Sequence, residues 1–459
     1  MIYNDIVYDS RKAQEGSVFV CLRGAVTDGH KYAMNAYNNG CRVFVCEEKL
    51  SLPDDATQII KSDTRIELAK ISAEFFGCPA KQLKIIGVTG TKGKTTTELY
   101  IWNILKNAGI NAGFIGTNGI IINDITIPTV NSTPESYELH KAFAEMVRQG
   151  IKYVVMEVSS LAYKSNRVYG IDFEVGVFTN LFPDHIGENE HPDFDDYKSC
   201  KARLFENSEY SVFNADDDWC DEMIAHAKAN YKTYGLSNAH NITPWQNENV
   251  LGVKYNYKNH EVIVKTPGVF SVYNSLAAIS VCEILGIDME IIRTSFQDFA
   301  AKGRFELVDA LPYAKFIIDY AHNELSLRNV LETLRQYSPR RLVCLFGSIG
   351  GRSKLRREGL GKVAAELADF CIITSDNPDN ENPLNIIAEI ERSVKNCPYI
   401  IIPDRKEAIE YAVNNAAEGD IVLLAGKGHE DYQIVNGEHI PFVERKIIME
   451  AAESILSFR

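Results

Sequence analysis

The chain has no run approaching the ~20 apolar residues that a membrane helix needs. Its first residues, MIYNDIVYDSRKAQEG, lack the basic start and apolar core of a secretory signal. Neither a membrane partner nor export is therefore expected, and a cytoplasmic location is. Cysteine pairs at metal or redox spacing are missing as well. The ten cysteines, among them Cys21, Cys41, Cys46, Cys78 and Cys371, are scattered through apolar stretches without a CxxC or a His-rich partner set. Such cysteines read as buried thiols, neither disulfides nor zinc ligands. An excess of positive charge is absent: at a formal net charge of −14 the chain lacks the concentrated basic face that a nucleic acid requires. Any anionic ligand must be gripped locally, by backbone amides and a few cations. Low-complexity tracts and short-period repeats are also absent.

What remains is an ordinary globular composition, 45% hydrophobic and 24% charged, in 459 residues. That length exceeds one hydrophobic core and predicts about three domains. Residues 1–83 mix short strands (SVFVCLRG, CRVFVCEE) with a helical stretch (RIELAKISAEFFG) and form a small α/β domain. From LKIIGVTG onward, the buried runs YVVMEVSS and EVGVFTNL alternate with amphipathic helices such as SYELHKAFAEMVRQG. This alternation predicts βαβ units and a parallel sheet over 84–301. A second series, KFIIDYA, RLVCLFG, DFCIITS, YIIIPD and DIVLLAG, predicts an independent doubly wound, Rossmann-like domain over 302–459. The expected fold class is thus α/β, three domains in series.

The strongest local signal is GVTGTKGKTTTELYIWNIL, residues 87–105. An apolar strand enters a Gly-rich turn and then a helix opening on Lys94 and Thr95, so backbone N–H groups and the helix dipole converge on one spot suited to nucleotide phosphates. Gly90 and Gly93 permit the tight path, Lys94 reaches the outer phosphates, and Thr95 offers a hydroxyl to Mg²⁺. Val88 stands where the strict Walker pattern has Gly, so this is a variant P-loop. Glu157 and His185 end neighbouring strands of the same predicted sheet, where ligands of parallel sheets gather.

GTKGKTTT, MEVSS, FTNLFPDHI, YKSCKARLF, PGVFSVYNSLAA, GRFE, DYAH, DNP and GKGHEDYQ follow in the order and approximate spacing of the Mur ligases, which the chain resembles from about residue 7 to 445. YDSR, GSVFVCLRG and DGHKYAMNAYNNG resemble the UDP-binding domain of the members that add the third residue of the peptidoglycan stem peptide. The resemblance implies a UDP-sugar-binding domain, a central ATPase domain and an amino-acid-binding domain, acting as a monomer on small-molecule substrates. The implied cofactors are ATP and Mg²⁺, with carbon dioxide for a carbamylated lysine.

Residue by residue, the resemblance puts Ser10, Arg11 and His30 in the uridine-diphosphate site. Ser132, Thr133, Ser159 and Arg167 fall on the UDP-sugar peptide. Gly90, Thr91, Lys92, Gly93, Lys94, Thr95, Thr96, Asn274, Arg304, Asp319 and His322 fall on ATP. Lys201 aligns with the carbamylated lysine, joining Thr95, Glu157 and His185 as metal ligands. A plain ammonium would repel Mg²⁺, whereas a carbamate is a hard oxygen ligand. Arg352, Asp376, Asn377, Asp379, Gly426 and Glu430 fall on the incoming amino acid. Departures from the family pattern are Leu161, Ser165, Ser271 and Glu324. None of them removes a metal or phosphate group.

The implied reaction is transfer of the ATP γ-phosphoryl group to the D-Glu carboxylate of UDP-MurNAc-L-Ala-D-Glu. Attack of an amine on the acyl phosphate follows. Members that add meso-diaminopimelate read Asp-Asn-Pro-Arg where ITSDNPDNEN places Asp379. Beside Asp376 and Glu381, an acid at this position lacks the bidentate fork for a distal carboxylate and suits a terminal ammonium. The expectation is L-lysine or ornithine, with meso-diaminopimelate, or another UDP-linked peptide, as the alternative.

Overall fold

In the computed structural model the described residues are 3–24, 27–187, 190–247, 250–297, 303, 305–351 and 354–457. Arg304 and Arg352 lie outside them. The chain forms two compact units, Met1–Asn238 with Tyr273–Ser295, and Ala239–Val272 with Phe296–Arg459.

The first unit contains a four-stranded parallel sheet in the order Asp5–Val7, Ser17–Val20, Val43–Cys46, Thr57–Ile60. Its residues alternate between two cores: Phe19 and Phe44 face one way, and Val18, Val20 and Val45 pack with Leu68 of helix Thr64–Phe75 on the other. That is the period-2 pattern of a sheet covered on both sides. The Asp63 carboxylate caps the helix by accepting from the amides of Arg65 and Ile66.

The same unit holds an eight-stranded sheet in the order Tyr231–Tyr234, Ser208–Asn214, Phe173–Phe178, Lys84–Thr89, Tyr153–Glu157, Ala112–Gly116, Gly119–Ile122, Ile125–Ile127. The first six are parallel, as the alternation predicted. The last two extend an edge by antiparallel pairing, which the sequence reading did not foresee. Lys84–Thr89 sits centrally, and the chain leaves it in one direction and returns on its other side at Phe173–Phe178. The loops after Thr89, Glu157 and Phe178 therefore share the carboxyl edge at a topological switch point.

In the second unit a six-stranded sheet runs Glu306–Leu311, Ala314–Asp319, Asp420–Ala425, Arg341–Phe346, Phe370–Ile373, Tyr399–Ile401. The five predicted strands are all present and mutually parallel. The edge strand Glu306–Leu311 is antiparallel because only two residues, Pro312 and Tyr313, join it to Ala314. This unit also carries an antiparallel sheet, Ala239–Asn247, Val250–Tyr257 and His260–Val264, absent from the sequence reading, and a hairpin, Tyr432–Val435 with Glu438–Pro441. No helix among the described residues is long and apolar enough to cross a membrane.

Candidate functional site

The phosphate loop follows strand Lys84–Thr89 and ends at helix Lys94–Asn107, whose N-cap is Gly93 at φ +83°. Gly90, at φ +145°, could not carry a side chain: a Cβ would lie 1.9 Å from Thr179 Oγ1. A Cβ on Gly93 would lie 2.4 Å from Asn274 Oδ1, which places the predicted nucleotide residue Asn274 directly against the loop. The next strand's TN pair clamps the turn. The Asn180 carbonyl accepts from the Thr91 amide (2.8 Å), Asn180 Oδ1 accepts from the Lys92 amide (2.8 Å), and Thr179 Oγ1 donates to the Lys92 carbonyl (2.7 Å). Sequence reading missed this clamp, although its position at a strand end beside the loop was a usable signal.

Lys94 Nζ donates to the carbonyls of Gly90 (3.0 Å) and Thr91 (3.2 Å) and lies 3.9 Å from Glu157 Oε1. Thr95 and Thr96 are half-buried in the first helical turn. Glu157 is buried at its strand end, with Oε2 accepting from Thr117 Oγ1 at 3.0 Å. Lys201, on helix Phe194–Glu206, is 2% exposed, and its Nζ donates to the Gly90 carbonyl at 2.8 Å. Burial, reinforced by the nearby Lys94 cation, drives its pKa well below that of an ordinary lysine. Lys201 Nζ also lies 4.5 Å over the Tyr197 ring, and the Tyr197 hydroxyl is 3.1 Å from Thr91 Oγ1. His185, half-exposed and at φ +54°, shares that ring, 6.3 Å centroid to centroid, and its Nδ1 is 2.9 Å from Glu190 Oε1. Carboxylate, hydroxyl and imidazole fit Mg²⁺, and Lys201 fits it only as an anion. Glu98, four residues past Lys94 on the same helix, is fully buried with neither oxygen hydrogen-bonded among the described residues, and burial raises its pKa well above the carboxylate range.

Beside this edge lies a second cluster. Thr133 Oγ1 donates to the Glu157 carbonyl (2.9 Å) and accepts from the Ser159 amide (3.1 Å). Arg167 donates to Glu135 Oε1 (3.0 Å) and to the Thr133 carbonyl (3.1 Å). Thr133, Ser159 and Arg167 are thus assembled around the backbone of a candidate metal residue, with Ser132 half-buried next to them. Arg65, unforeseen, reaches the same Glu135 carboxylate at 3.3 Å.

The predicted uridine-site residues lie on the four-stranded sheet's loops. Arg11 is exposed and paired with Asp9 at 2.8 Å, in a turn opened by Ser10. His30 is buried, with Nδ1 2.6 Å from Asp28 Oδ1 and Nε2 accepting from the Glu47 amide at 3.0 Å. Both ring nitrogens are occupied within the protein, and the proton sits on Nδ1.

In the second unit, Asp319 ends its strand with Oδ2 and Oδ1 accepting from the amides of Phe305 and Ala321 (both 2.8 Å), and His322 Nδ1 is 2.8 Å from the Tyr320 carbonyl. Asp376, Asn377, Gly426 and Glu430 come together as predicted, around a residue that was not: the fully buried Lys427 of GKGHE. Its Nζ donates to Asn377 Oδ1 (2.8 Å) and Glu430 Oε2 (3.2 Å) and lies 3.8 Å from Asp376 Oδ1. Gly426, at φ +117°, leaves room for Asp376, whose Oδ2 would be 2.5 Å from a Cβ there. Asp379 is half-buried at φ +51°, pinned to the hairpin by its amide to the Ile434 carbonyl (3.0 Å) and its carbonyl to the Asn436 amide (2.8 Å). Its Oδ1 accepts from Asn380 Nδ2 at 3.1 Å. Glu381 is an anchor: its carboxylate holds Arg357 (2.6 and 2.8 Å) and the Gly351 amide (2.9 Å).

Three family models match in series: "Mur ligase family, catalytic domain" over residues 3–77, "Mur ligase middle domain" over 88–282 and "Mur ligase, glutamate ligase domain" over 303–428. The UDP-N-acetylmuramoyl-L-alanyl-D-glutamate–2,6-diaminopimelate ligase of Caldanaerobacter subterraneus subsp. tengcongensis is 42% identical over 453 residues, covering 97% of this chain and 94% of that protein. Its namesake in Clostridium perfringens is 40% identical over 461 residues, covering 98% and 95%. A solved structure of a ligase of that name aligns with TM-score 0.71 at 28% identity, over 99% of this chain and 95% of the other. The MurF ligase of Thermotoga maritima with ADP shares the fold at TM-score 0.65 and 19% identity, over 100% and 99% of the two chains. Matched along nearly its whole length, the chain belongs to the Mur ligase family of ATP-dependent, ADP-forming amide ligases.

Proposed function

We propose that this ligase adds meso-diaminopimelate to the D-Glu carboxylate of UDP-MurNAc-L-Ala-D-Glu, in the cytoplasm, as a step of peptidoglycan synthesis. The observation that carries the reading is the identity of 40–42% along nearly the whole chain to relatives named for that amino acid. It replaces the lysine or ornithine expected from Asp379 alone. That expectation rested on an aspartate facing the substrate, whereas the Asp379 carboxylate accepts from its neighbour Asn380. Arg357 offers no substitute fork, since both its terminal nitrogens are held by Glu381 and Glu389.

In this reading residues 1–83 hold the UDP-sugar, 84–301 hold ATP, and 302–459 hold the amino acid. The amides of the 90–93 turn and Lys94 take the phosphates, and Thr133, Ser159 and Arg167 orient the acceptor. The acceptor carboxylate takes the γ-phosphoryl group, and the amine displaces phosphate from the acyl phosphate. Magnesium, when bound, neutralises the phosphate charge, and Thr95, Glu157, His185 and carbamylated Lys201 would hold it. What supports carbamylation is the buried, acidified Lys201 amine: its neutral form attacks the carbon of carbon dioxide and sheds a proton. Phosphate release with UDP-MurNAc-L-Ala-D-Glu, ATP and each amino acid in turn tests the specificity. Turnover with meso-diaminopimelate is expected; turnover confined to lysine or ornithine refutes it.

A further inference from the structure

A second histidine, His191, follows His185 in the same loop, and the reading above gives it no role. Its ring is fully buried and both nitrogens are engaged: Nδ1 lies 2.7 Å from Asp196 Oδ2 and Nε2 2.9 Å from Ser160 Oγ. The order Ser–His–Asp is that of a hydrolase, but Ser160 is 3% exposed and His191 0%, so no substrate reaches the hydroxyl. Cys200 Sγ lies within 4.8 Å of the His191 and Asp196 ligand atoms. A metal ion there would face the Lys164 ammonium, 2.9 Å from Asp196 Oδ2.

The contacts instead describe a mechanical link. Backbone bonds join the two histidines' segments: the His191 amide donates to the His185 carbonyl (3.0 Å), and the Gly187 amide donates to the His191 carbonyl (3.0 Å). Lys164 Nζ adds a bond to the Glu190 carbonyl (2.9 Å), while Glu190 Oε1 meets His185 Nδ1. The far end of the link is Ser160, the first residue of helix Ser160–Lys164. The N-cap of that helix is Ser159, already bonded to Thr133. One buried imidazole therefore joins the loop that presents His185 to the segment that presents Ser159.

We propose that His191 is a positioning residue for the reaction's divalent cation, fixing the His185 loop against the Ser159–Ser160 segment so that cation and acceptor are set in one frame. The proposal rests on His185 as a metal ligand. It is tested by Mn²⁺ titration of the intact protein with a non-hydrolysable ATP analogue, followed by electron paramagnetic resonance, with thermal melting in parallel. His185→Ala is expected to weaken Mn²⁺ at least ~10-fold and His191→Ala by about 10-fold, the range for groups that orient metal ligands. Ser160→Ala, which removes one bond and keeps the ring, is expected to weaken it about 3-fold. Should His191→Ala not fold, Ser160→Ala decides. Weakening in His185→Ala alone overturns the proposal. Wild-type affinity in His185→Ala overturns the ligand reading on which it rests.

Discussion

Two lysines in this molecule are equally buried and differently employed. Lys201 Nζ meets the Gly90 carbonyl and an aromatic face, whereas Lys427 is enclosed by Asn377, Glu430 and Asp376. The same division runs through each unit. In the first, Glu98 and His140 are buried with no hydrogen-bond partner among the described residues. In the second, buried Arg357 meets Glu381 and Glu389, and buried Arg405 meets Glu444. A buried titratable group without a counter-charge is driven toward its neutral form by desolvation, whereas a buried ion inside a matched set keeps its charge and organises structure. On this view the edge of the eight-stranded sheet shifts Lys201 toward its neutral, reactive amine, while the edge of the six-stranded sheet holds Lys427 among matched partners.

The largest effect that would break the contrast is catalytic. Lys201→Ala should lower kcat by about 10²–10³-fold, the loss of roughly 3–4 kcal/mol of transition-state stabilisation. Short-chain carboxylates in the assay should restore part of it by supplying the missing oxygens. Undiminished phosphate release in the variant would put Lys201 outside the mechanism.

Stability gives the next contrast, with opposite signs. Lys427→Met leaves Asp376 and Glu430 without their shared cation and should cost about 3–5 kcal/mol in urea unfolding. Lys201→Met, in apo protein and CO₂-free buffer, should gain stability. The folded-state pKa of Lys201 is lowered, so between that value and 10.5 the unfolded chain binds the extra proton. Stability is thus lost as pH falls through the window, so the advantage of methionine is absent above pH 10.5 and grows as the pH is lowered from there. Equal signs for the two variants would erase the distinction.

What the sequence disclosed follows the same line. The phosphate loop was legible because Gly90, Gly93 and Lys94 are adjacent in the chain, and the five parallel strands of the second unit because each is a continuous apolar run. Lys427 was not, since Asp376 and Asn377 reach it from a segment about 50 residues away and, with Glu430 three residues on, it reads locally as a surface cation. Asp379 was legible only in part, for a related reason. Its residue type was visible, but its positive φ and its bond to Asn380, which decide where the carboxylate points, were not. The 239–264 sheet escaped notice because its first strand, largely exposed, has no apolar alternation to read.

The smallest effect tests whether unpartnered burial in the first unit carries a stability penalty even away from the site. His140 sits on helix Ser136–Arg148 against Phe143, 2% exposed, and burial pushes its pKa down to about 4. Its unfolded value is near 6.5. Below pH 6.5 the unfolded chain takes up a proton that the folded chain refuses, so stability falls between pH 6.5 and 4 and levels off beneath. At pH 5 the difference amounts to about 2 kcal/mol. His140→Phe should therefore match or exceed the wild type in urea unfolding at pH 7.5, and its advantage should widen by about 2 kcal/mol at pH 5. A wild-type profile that runs parallel to the variant's across that range would mean the ring finds a partner for its proton, and His140 would then belong with the compensated groups of the second unit.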